Sequence, residues 1–510
     1  KHKMPSKKGR SRSKGRKASD NMFSVLGSPS PAKPGMSGMS AAKSSAAGKS
    51  KSSSMSSSKL SSKPHYEFGG PFGAISTMVS LPLLTVYLIL ASRVGKLLPT
   101  FAEFGMAWTE MIGYDWMERV WRSAIVLALW LLLTLFLHLY LPSKTAQGSP
   151  IRHASNKILP YTINGHLQFW VTLLIIGVLE FVKVETGAGK GSCESLDGDE
   201  EEPSIFDPFT SFVSDYLGVF TTPPSESSCT GTATTSVPLV LSETSMLSYL
   251  PTIYLPLAIT TTAFCALLST YLLLSSYTPG AILALGGNTP STPYNYFIGR
   301  ELNPRITILG REVDLKEWFE LKPGLIGWCV INVAFSRCYY AQHGHISLEL
   351  AALTLSQGLY VWDALYNEVA ILTTMDITTD GFGFMLCFGD LGWVPYVYTL
   401  QANYMLYNDT GVGAAWTVMC VFIGMGGYWI FRRANSEKDK FRREGPDSDP
   451  NFKYIDTKRG TKLMVSGWWG KARKINYTGD WILGMSWCML TGSSSVVPYF
   501  YGMYFFVLLV

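Results

Sequence analysis

The sequence predicts an all-α, polytopic membrane protein with about ten transmembrane helices and a disordered basic tail at its N-terminus. Three observations support this fold class. Hydrophobic residues make up 47% of the 510 residues and charged residues only 16%, whereas a soluble domain carries about 25% charged residues. Apolar runs of spanning length recur from residue 74 to the end of the chain. Basic and acidic residues are also segregated between different loops.

The N-terminal tail, residues 1–65, is rich in Ser, Lys and Gly, so it cannot bury a core and is expected to be disordered. Residues 1–63 hold 15 Lys and Arg against one acid, Asp20. The run SKKGRSRSKGRK is typical either of a nucleic-acid-binding patch or of a solvated cytosolic tail. We interpret it as a cytosolic tail, because positively charged segments remain on the cytosolic side of a membrane.

Apolar segments long enough to cross a bilayer follow the tail. They lie near residues 74–92, 122–141, 164–183, 248–276, 324–341, 346–372, 382–407 and 414–431. A last apolar region fills residues 481–510. Pro498 and the Gly-Ser run at 492–495 interrupt it, so it is predicted to form two short or tilted spans.

The charges of the loops predict how these spans are oriented in the membrane. Residues 185–245 contain eleven acids against Lys190, as expected for a disordered lumenal insert without a catalytic part. Residues 432–480 carry 13 Lys and Arg against seven acids, as expected for a cytosolic loop. The chain therefore divides into the tail and a membrane domain, residues 66–510.

The cysteines give no metal signature, because no C-x-x-C pair or Cys/His cluster is present in the sequence. Six of them lie in or beside apolar segments and are predicted to be small core residues: Cys265, Cys329, Cys338, Cys387, Cys420 and Cys488. Cys193 and Cys229 fall in the acidic loop. The sequence allows two alternatives for them, a disulfide or two free thiols.

The stretch from Tyr360 to Gln401 is apolar enough for a bilayer yet contains five acids: Asp363, Glu368, Asp376, Asp380 and Asp390. Carboxylates at membrane depth are unfavourable and persist where they face a bundle interior or a water-filled cavity. The stretch therefore predicts a polar functional site inside the membrane domain. A transporter is the alternative for any polytopic protein with buried acids.

Two polar clusters follow the eighth span. Residues 432–443 are basic and are typical either of an anionic-lipid anchor or of a clamp for cofactor phosphates. Lys438 and Arg442 are four residues apart and share one face if the span continues as a helix. Residues 462–480 place aromatic and polar residues between glycines, which favours a nucleotide site over an interfacial aromatic belt. No G-x-G-x-x-G or Walker motif is present, so a Rossmann or P-loop domain is not expected.

Three motifs carry a resemblance to a known family: FIGRELNPRI (297–306), TTMDITTDGFGFMLCFGDLGWVP (373–395) and LMVSGWWGKARKINYTGD (463–480). They resemble the sterol reductase family of the endoplasmic reticulum, which includes the Δ14-, Δ7- and Δ24(28)-sterol reductases and the lamin B receptor. The resemblance covers roughly residues 68–510. TTMDITTDGFGFML is similar to the Δ14 branch and disfavours a Δ7-reductase.

The resemblance implies an NADPH-dependent oxidoreductase that reduces the C14=C15 double bond of a sterol diene in sterol biosynthesis. In the family, a proton is delivered to the alkene, a carbocation forms at C14, and hydride from NADPH quenches it. An isolated alkene is not electrophilic enough to accept hydride, so acid must act first, and the cation then needs negative dipoles. The sterol would enter from the bilayer and NADPH from the cytosol. The expected location is the endoplasmic reticulum membrane, with the nuclear envelope as a second one.

Carried onto this chain, the resemblance assigns two groups of residues. The acid and cation-stabilising roles fall to Tyr360, Asp363, Glu368, Asp376, Asp380 and Tyr398. Tyr360 is favoured as the proton donor, coupled to Asp363 or Glu368, with a buried carboxyl as the alternative donor. The NADPH contacts fall to Lys438, Arg442, Trp469, Arg473, Asn476, Tyr477 and Asp480. No metal ligand is assigned; the expected partners are the sterol and membrane lipids, without nucleic acid.

Two departures from the family pattern bear on these expectations. Asn295 stands where the family usually has Asp. The family also continues into a cytosolic R-D-x-x-x-C-x-x-K-Y-G segment that closes over the cofactor, and the chain is expected to lack it because the sequence ends at Val510. The alternative function is a scaffold of the inner nuclear membrane like the lamin B receptor, with a chromatin-binding tail. That receptor has a folded Tudor domain there, and residues 1–65 have too few apolar residues to form one.

Overall fold

The computed structural model describes residues 66–188, 246–457 and 462–509. The predicted disordered tail, most of the acidic lumenal loop, and Cys193 and Cys229 lie outside the described residues. Within them the chain is mostly helical, as predicted. The α-helices are α1 (Gly70–Val94), α2 (Phe101–Ile112), α3 (Trp116–Tyr140), α4 (Gly165–Ala188), α5 (Met246–Tyr249), α6 (Tyr254–Ser275), α7 (Thr292–Ile298), α8 (Leu315–Phe319), α9 (Gly327–His343), α10 (Leu348–Tyr366), α11 (Met375–Thr378), α12 (Phe384–Phe388), α13 (Val394–Val397), α14 (Leu400–Tyr407), α15 (Ala414–Glu444), α16 (Ile475–Met489) and α17 (Phe500–Leu509).

Three antiparallel hairpins in the described ranges were not predicted. Their strands are β1 (Lys144–Gln147) with β2 (Pro160–Ile163), β3 (Arg305–Ile308) with β4 (Arg311–Asp314), and β5 (Tyr454–Asp456) with β6 (Lys462–Met464). Short 3₁₀ turns and two π-helical segments complete the regular structure. The 3₁₀ turns are Arg152–Ala154, Leu250–Ile253, Glu368–Thr373 and Gly467–Gly470, and the π-helical segments are Glu320–Ile326 and Gly389–Trp393.

Four helices in the described ranges are long and apolar enough to cross a membrane: Gly70–Val94, Trp116–Tyr140, Leu247–Ser275 and Ala414–Arg442. Shorter apolar helices occupy Gly165–Glu180 and Phe500–Leu509. All six coincide with apolar segments that the sequence analysis identified. The six cysteines predicted to be core residues are buried and free, which confirms that prediction.

The segment 382–407 was predicted as one span, and that prediction is wrong in detail. The structure divides it into α12, the π-helical segment Gly389–Trp393, α13 and α14. Gly389, Gly392 and Pro395 lie at the interruptions, and glycine and proline are the residues that most disfavour a continuous helix. Broken helices at membrane depth are tolerated where they are buried in protein, and Gly389–Trp393 is buried throughout.

A second broken helix packs against the first. α8 and α9 are joined by the π-helical segment Glu320–Ile326, which contains Pro323. Proline removes a helical hydrogen bond, and the carbonyl of Pro323 instead accepts a hydrogen bond from the Trp130 indole of α3 at 3.2 Å. The two π-helical segments meet at Gly324, where a Cβ would lie 2.6 Å from the backbone oxygen of Asp390. Such segments often occur at functional sites.

The longest helix, α15, continues to Glu444, thirteen residues beyond the predicted end of its span at residue 431. It packs closely on α16 because glycines face each other. A Cβ at Gly479 would lie 2.6 Å from the backbone nitrogen of Phe431, and one at Gly427 would lie 2.7 Å from the oxygen of Gly479. Small residues allow this close backbone approach between membrane helices.

The motif FIGRELNPRI is a scaffold for the motif TTMDITTDGFG. Gly299 has φ +91° and lies against the backbone of residues 381–383, so any side chain there would clash. Phe382 N–H donates to the carbonyl of Glu301 at 2.9 Å, and Asn303 donates to the carbonyl of Ile377 at 3.1 Å. Asn295, the departure from the family pattern, closes the preceding turn by donating to the carbonyl of Thr289 at 2.7 Å.

Candidate active site

The hydroxyl of Tyr360 on α10 lies beside the carboxyl of Asp480 on α16, and the two groups interact. Asp480 is buried, with 3% of its surface exposed, and Tyr360 is half-buried. The sequence analysis placed Tyr360 among the acid candidates and Asp480 among the cofactor contacts. The structure brings these two residues together, so the two predicted groups meet at this contact.

Aromatic rings surround Tyr360. Its ring centroid lies 5.5 Å from that of Trp487 and 5.9 Å from that of Trp328. Tyr398, another predicted site residue, lies 5.2 Å from Trp328 and 4.7 Å from Tyr501. We call these five residues the aromatic cluster. Because ring faces carry partial negative charge, such a cluster favours a positive charge placed between them.

Polar side chains fix the orientation of the aromatic cluster. The Trp487 indole donates to the hydroxyl of Ser356 at 2.7 Å, and the Trp328 indole donates to the Gln357 side chain at 3.1 Å. Gln357 in turn donates to the carbonyl of Tyr398 at 3.3 Å. Buried indole N–H groups need such partners. The cluster is therefore held by hydrogen bonds from α10, the helix that also carries Tyr360.

Asp363 lies one helical turn beyond Tyr360 on α10 and forms an ion pair with Arg432 of α15 at 3.3 Å. The same oxygen, Oδ1, accepts hydrogen bonds from the Tyr428 hydroxyl at 3.0 Å and from Asn367 at 3.2 Å. One cationic partner and two donors therefore orient this oxygen. These contacts join α10 to α15, and the chemical role of Asp363 stays a prediction.

Glu368 lies in a buried ion triad. The Lys322 ammonium pairs with both Glu317 and Glu368, and all three side chains are at most 1% exposed. The second Glu368 oxygen accepts the backbone N–H of Gly165 at 2.8 Å, the first residue of α4. Negative charge is stabilising at a helix N-terminus. Both Glu368 oxygens are engaged in contacts that join four chain segments.

Asp376 and Asp380 occupy a turn that Lys316 holds in place. The Lys316 ammonium donates to the backbone carbonyls of both residues, at 2.7 Å for Asp380. Burial raises the pKa of Asp380 to about 6 and lowers the pKa of Lys316 to about 8. Asp376 also interacts with Asp390 and Glu320 of the two π-helical segments. These acids form a second polar group, and their chemical role stays a prediction.

The predicted cofactor contacts gather around the C-terminal end of α15. The Trp469 indole donates to the carbonyl of Ala434 at 2.8 Å. The Lys438 ammonium lies 4.6 Å from the centre of a Trp469 ring, within cation–π range. Asn476 of α16 donates to the side-chain oxygen of Asn435 at 3.2 Å. Three predicted contacts are thus brought together by α15 and the segment 467–476.

The remaining cofactor candidates lie at the outer edge of this group. Arg442 and Arg473 are exposed, and Tyr477 is half-buried beside Lys474, whose ammonium is 5.5 Å from its ring. Exposed guanidinium groups are suited to phosphates that arrive from water. Polarity thus decreases from Arg442 and Arg473 inward through Asn476 to Asp480, which lies one turn further along α16.

Several residues of the site were missed by the sequence analysis. Trp328, Trp487 and Tyr501 lie in apolar segments whose residues look alike in a sequence, so nothing singled them out. Lys316 and Lys322 could have been identified from the sequence, because two lysines at the start of an apolar span are energetically unfavourable unless they are paired with acids. The basic cluster 432–443 was interpreted as one unit, whereas the structure pairs Arg432 inward with Asp363.

The fold and site together define a membrane protein in which a tyrosine–carboxyl pair lies between aromatic rings and a basic cluster. The sequence matches the ergosterol biosynthesis ERG4/ERG24 family over residues 62–186 and 227–510. The chain therefore belongs to this family, which confirms the resemblance to sterol reductases.

Individual relatives agree with this assignment. Delta(14)-sterol reductase TM7SF2 of Mus musculus is 35% identical over 455 residues, which cover 89% of this chain and 91% of the mouse protein. Delta(14)-sterol reductase ERG24 of Saccharomyces cerevisiae is 32% identical over 461 residues, covering 87% and 90%. Delta(14)-sterol reductase LBR of Gallus gallus is 35% identical over 450 residues, which cover 87% of this chain and 59% of the chicken protein.

Proposed function

We propose that this protein is a Δ14-sterol reductase, which reduces the C14=C15 double bond of a sterol diene with NADPH. Relatives named as Δ14-sterol reductases align over most of the chain. The observation that carries the proposal is the contact between Tyr360 and Asp480, because it unites the acid candidates with the cofactor candidates. A reductase that must deliver a proton and a hydride to adjacent carbons needs both sources at one place.

Tyr360 acts as the acid. Its O–H bond breaks, the proton forms a C–H bond at C15 with the alkene electrons, and C14 becomes a carbocation. Asp480 lies beside this hydroxyl, and as a carboxylic acid it returns a proton to the tyrosinate. A proton from the cytosol then restores Asp480. Positioned acids of this kind contribute about 10²–10⁴-fold to a rate.

The aromatic cluster stabilises the cation. Trp328, Tyr398, Trp487 and Tyr501 place π-electron density around Tyr360, and the faces of these rings attract a positive charge. A preorganised, water-poor environment strengthens such electrostatic effects. It also limits the loss of the cation to water.

The residues around α15 fit a phosphorylated dinucleotide. Lys438 and Arg442 supply positive charge for phosphates, the Trp469 ring supplies a stacking surface, and Asn435 presents a buried amide N–H that has no partner in the described ranges. Arg473, Asn476 and Tyr477 add polar contacts from α16 and the residues before it. When bound, NADPH supplies the hydride that C14 accepts.

The membrane arrangement follows from the same proposal. The protein crosses the endoplasmic reticulum membrane about ten times, with the loop at 432–480 facing the cytosol. The sterol diffuses from the bilayer to the aromatic cluster, while NADPH enters from the cytosol along Arg442 and Lys438. Four strong candidate spans and two shorter apolar helices in the described ranges support a polytopic topology.

The test is complementation of a yeast strain that lacks its own Δ14-sterol reductase, with sterols profiled by gas chromatography and mass spectrometry. Expression of the protein should remove the Δ8,14-diene, and Y360F should leave it. The matched control is Y366F, because Tyr366 lies on the same helix but is 63% exposed. Persistence of the diene with correctly inserted wild-type protein would favour the scaffold function instead.

A further inference from the structure

The side chain of Asn435 contains a buried N–H group without a hydrogen-bond partner among the described residues. Asn435 is 7% exposed and lies near the C-terminal end of α15. Its oxygen accepts a hydrogen bond from Asn476 at 3.2 Å, so this contact leaves the NH₂ group free to donate. A buried donor without an acceptor destabilises the folded protein, and such groups call for a specific explanation.

Asn435 differs from the other buried asparagines of the described ranges in the use of its side-chain NH₂ group. In each of them, the side-chain NH₂ group donates to a protein acceptor: Asn164, Asn295, Asn303, Asn332 and Asn403. These side chains join helices or close turns and thus serve the fold. Asn435 does not use its donor in this way, which indicates a donor that is kept for a ligand.

The position of Asn435 indicates which part of the ligand it meets. On α15, Lys438 and Arg442 lie outward of Asn435, and the rise of an α-helix places Arg442 about 10 Å further along the axis. On α16, its partner Asn476 lies one turn from Asp480, which lies beside Tyr360. The Asn435–Asn476 pair therefore lies between the phosphate candidates and the acid.

We propose that Asn435 binds the nicotinamide end of the cofactor, by donating its free N–H to the carboxamide oxygen. This inference rests on the proposed function, in which hydride must be delivered close to Tyr360. The phosphates bind outward, at Lys438 and Arg442, so the ring that carries the hydride lies inward of them. A carboxamide oxygen is the acceptor which that end of the molecule offers to a buried amide N–H. Asn435 thus positions the hydride relative to the acid.

The experiment compares two ligands by isothermal titration calorimetry on the detergent-purified protein. NADP⁺ contains the carboxamide, whereas 2′,5′-ADP contains the adenine and the 2′-phosphate but no nicotinamide. N435L should weaken NADP⁺ binding by up to about tenfold, the effect of one lost hydrogen bond, and leave 2′,5′-ADP binding unchanged. K438A should weaken both ligands. S436A, a change at the exposed neighbouring residue, should affect neither.

A thermal melt separates binding from folding. N435L removes the unpaired donor together with the acceptor of the half-buried Asn476, so it should lower the melting temperature of the unliganded protein only slightly. If N435L fails to fold, N435D is the second variant, because its acceptor oxygens repel the carboxamide oxygen and should also weaken NADP⁺ selectively. Equal binding of NADP⁺ by the wild type and N435L, or equal weakening of both ligands, would overturn the inference. If the wild type binds neither ligand, the proposed function fails as well.

Discussion

The Asp363 carboxylate of α10 lies 3.3 Å from the guanidinium of Arg432 on α15. Asp363 is one turn from Tyr360, and Arg432 is on the helix that also carries Lys438 and Arg442. The ion pair therefore fixes the helix of the proposed acid against the helix of the proposed phosphate contacts. Distances between acid, sterol and hydride depend on this contact, although neither residue needs to touch the substrate.

We expect R432M to destabilise the protein by about 1–3 kcal/mol, because it leaves the Asp363 carboxylate buried without a cation; partial exposure of Arg432 reduces the effect. D363N/R432M should recover part of that loss, since the charge is removed together with its partner. Thermal melts of the three proteins in detergent measure this coupling. Additive losses in the double variant would show that the two side chains do not interact.

The assignment of Asp480 to the acid rather than to the cofactor predicts a specific kinetic pattern. D480N should lower kcat, because the asparagine cannot return a proton to Tyr360, and should leave the Kd for NADP⁺ unchanged. Steady-state assays in membranes and calorimetry on purified protein supply the two numbers. If D480N raises the Kd for NADP⁺ and leaves kcat unchanged, Asp480 is a cofactor contact, as the sequence predicted.

Two neighbouring glycines of α15 offer a matched test of the α15–α16 contact. G427A should destabilise the protein by about 1–3 kcal/mol, because its Cβ would lie 2.7 Å from backbone atoms of α16. G426A introduces the same methyl group into open space and should be neutral or slightly stabilising. Thermal melts compare the two; similar melting temperatures would mean that the helices are not in close contact.

The ion triad of Glu317, Lys322 and Glu368 predicts a loss of folding rather than of chemistry. K322M leaves two buried carboxylates without their cation and should cost about 3–5 kcal/mol. K96M removes the exposed partner of Glu103 and should leave the stability nearly unchanged, because surface ion pairs contribute little. E317Q/K322M/E368Q should regain most of the yield of folded protein, measured by size-exclusion chromatography. No recovery in the triple variant would contradict the triad.

Asp380 predicts a pH dependence. Burial raises its pKa to about 6 from an ordinary value of 3.8, so the folded state binds the proton more tightly than the unfolded state. The stabilisation from protonated Asp380 is therefore complete below pH 4 and is lost as the pH rises through 6. D380N should flatten the dependence of the melting temperature in this window. Parallel curves for both proteins would show that Asp380 does not titrate there.

The sequence was sufficient for the helices, because long apolar runs such as 74–92 and 122–141 permit few other structures in a membrane. It was insufficient for 382–407, where hydropathy cannot distinguish a continuous span from a buried broken one. The hairpin of β3 and β4 was missed because four-residue strands have no reliable period. The extension of α15 to Glu444 was only suggested by the spacing of Lys438 and Arg442.

The candidate site was predictable in composition but not in arrangement. The presence of acids at membrane depth identified Asp363 and Glu368 as candidates. Their different partners are visible only in the three-dimensional structure, where Asp363 pairs with Arg432 and Glu368 caps α4. The contact between Tyr360 and Asp480 joins residues 120 positions apart, and no local pattern relates them. The same holds for the aromatic cluster. Its residues come from α9, α10, α16, α17 and the turn between α13 and α14.

The most direct test of the central claim, that protein acid and cofactor hydride reach adjacent carbons, is isotope placement in the product. Membranes with the wild-type protein would receive a Δ8,14-diene with NADPH deuterated at the transferred position, or with ordinary NADPH in D₂O. The account predicts deuterium at C14 in the first case and at C15 in the second, located by nuclear magnetic resonance, with no product from Y360F. Cofactor-derived deuterium at C15, or normal turnover by Y360F, would contradict it.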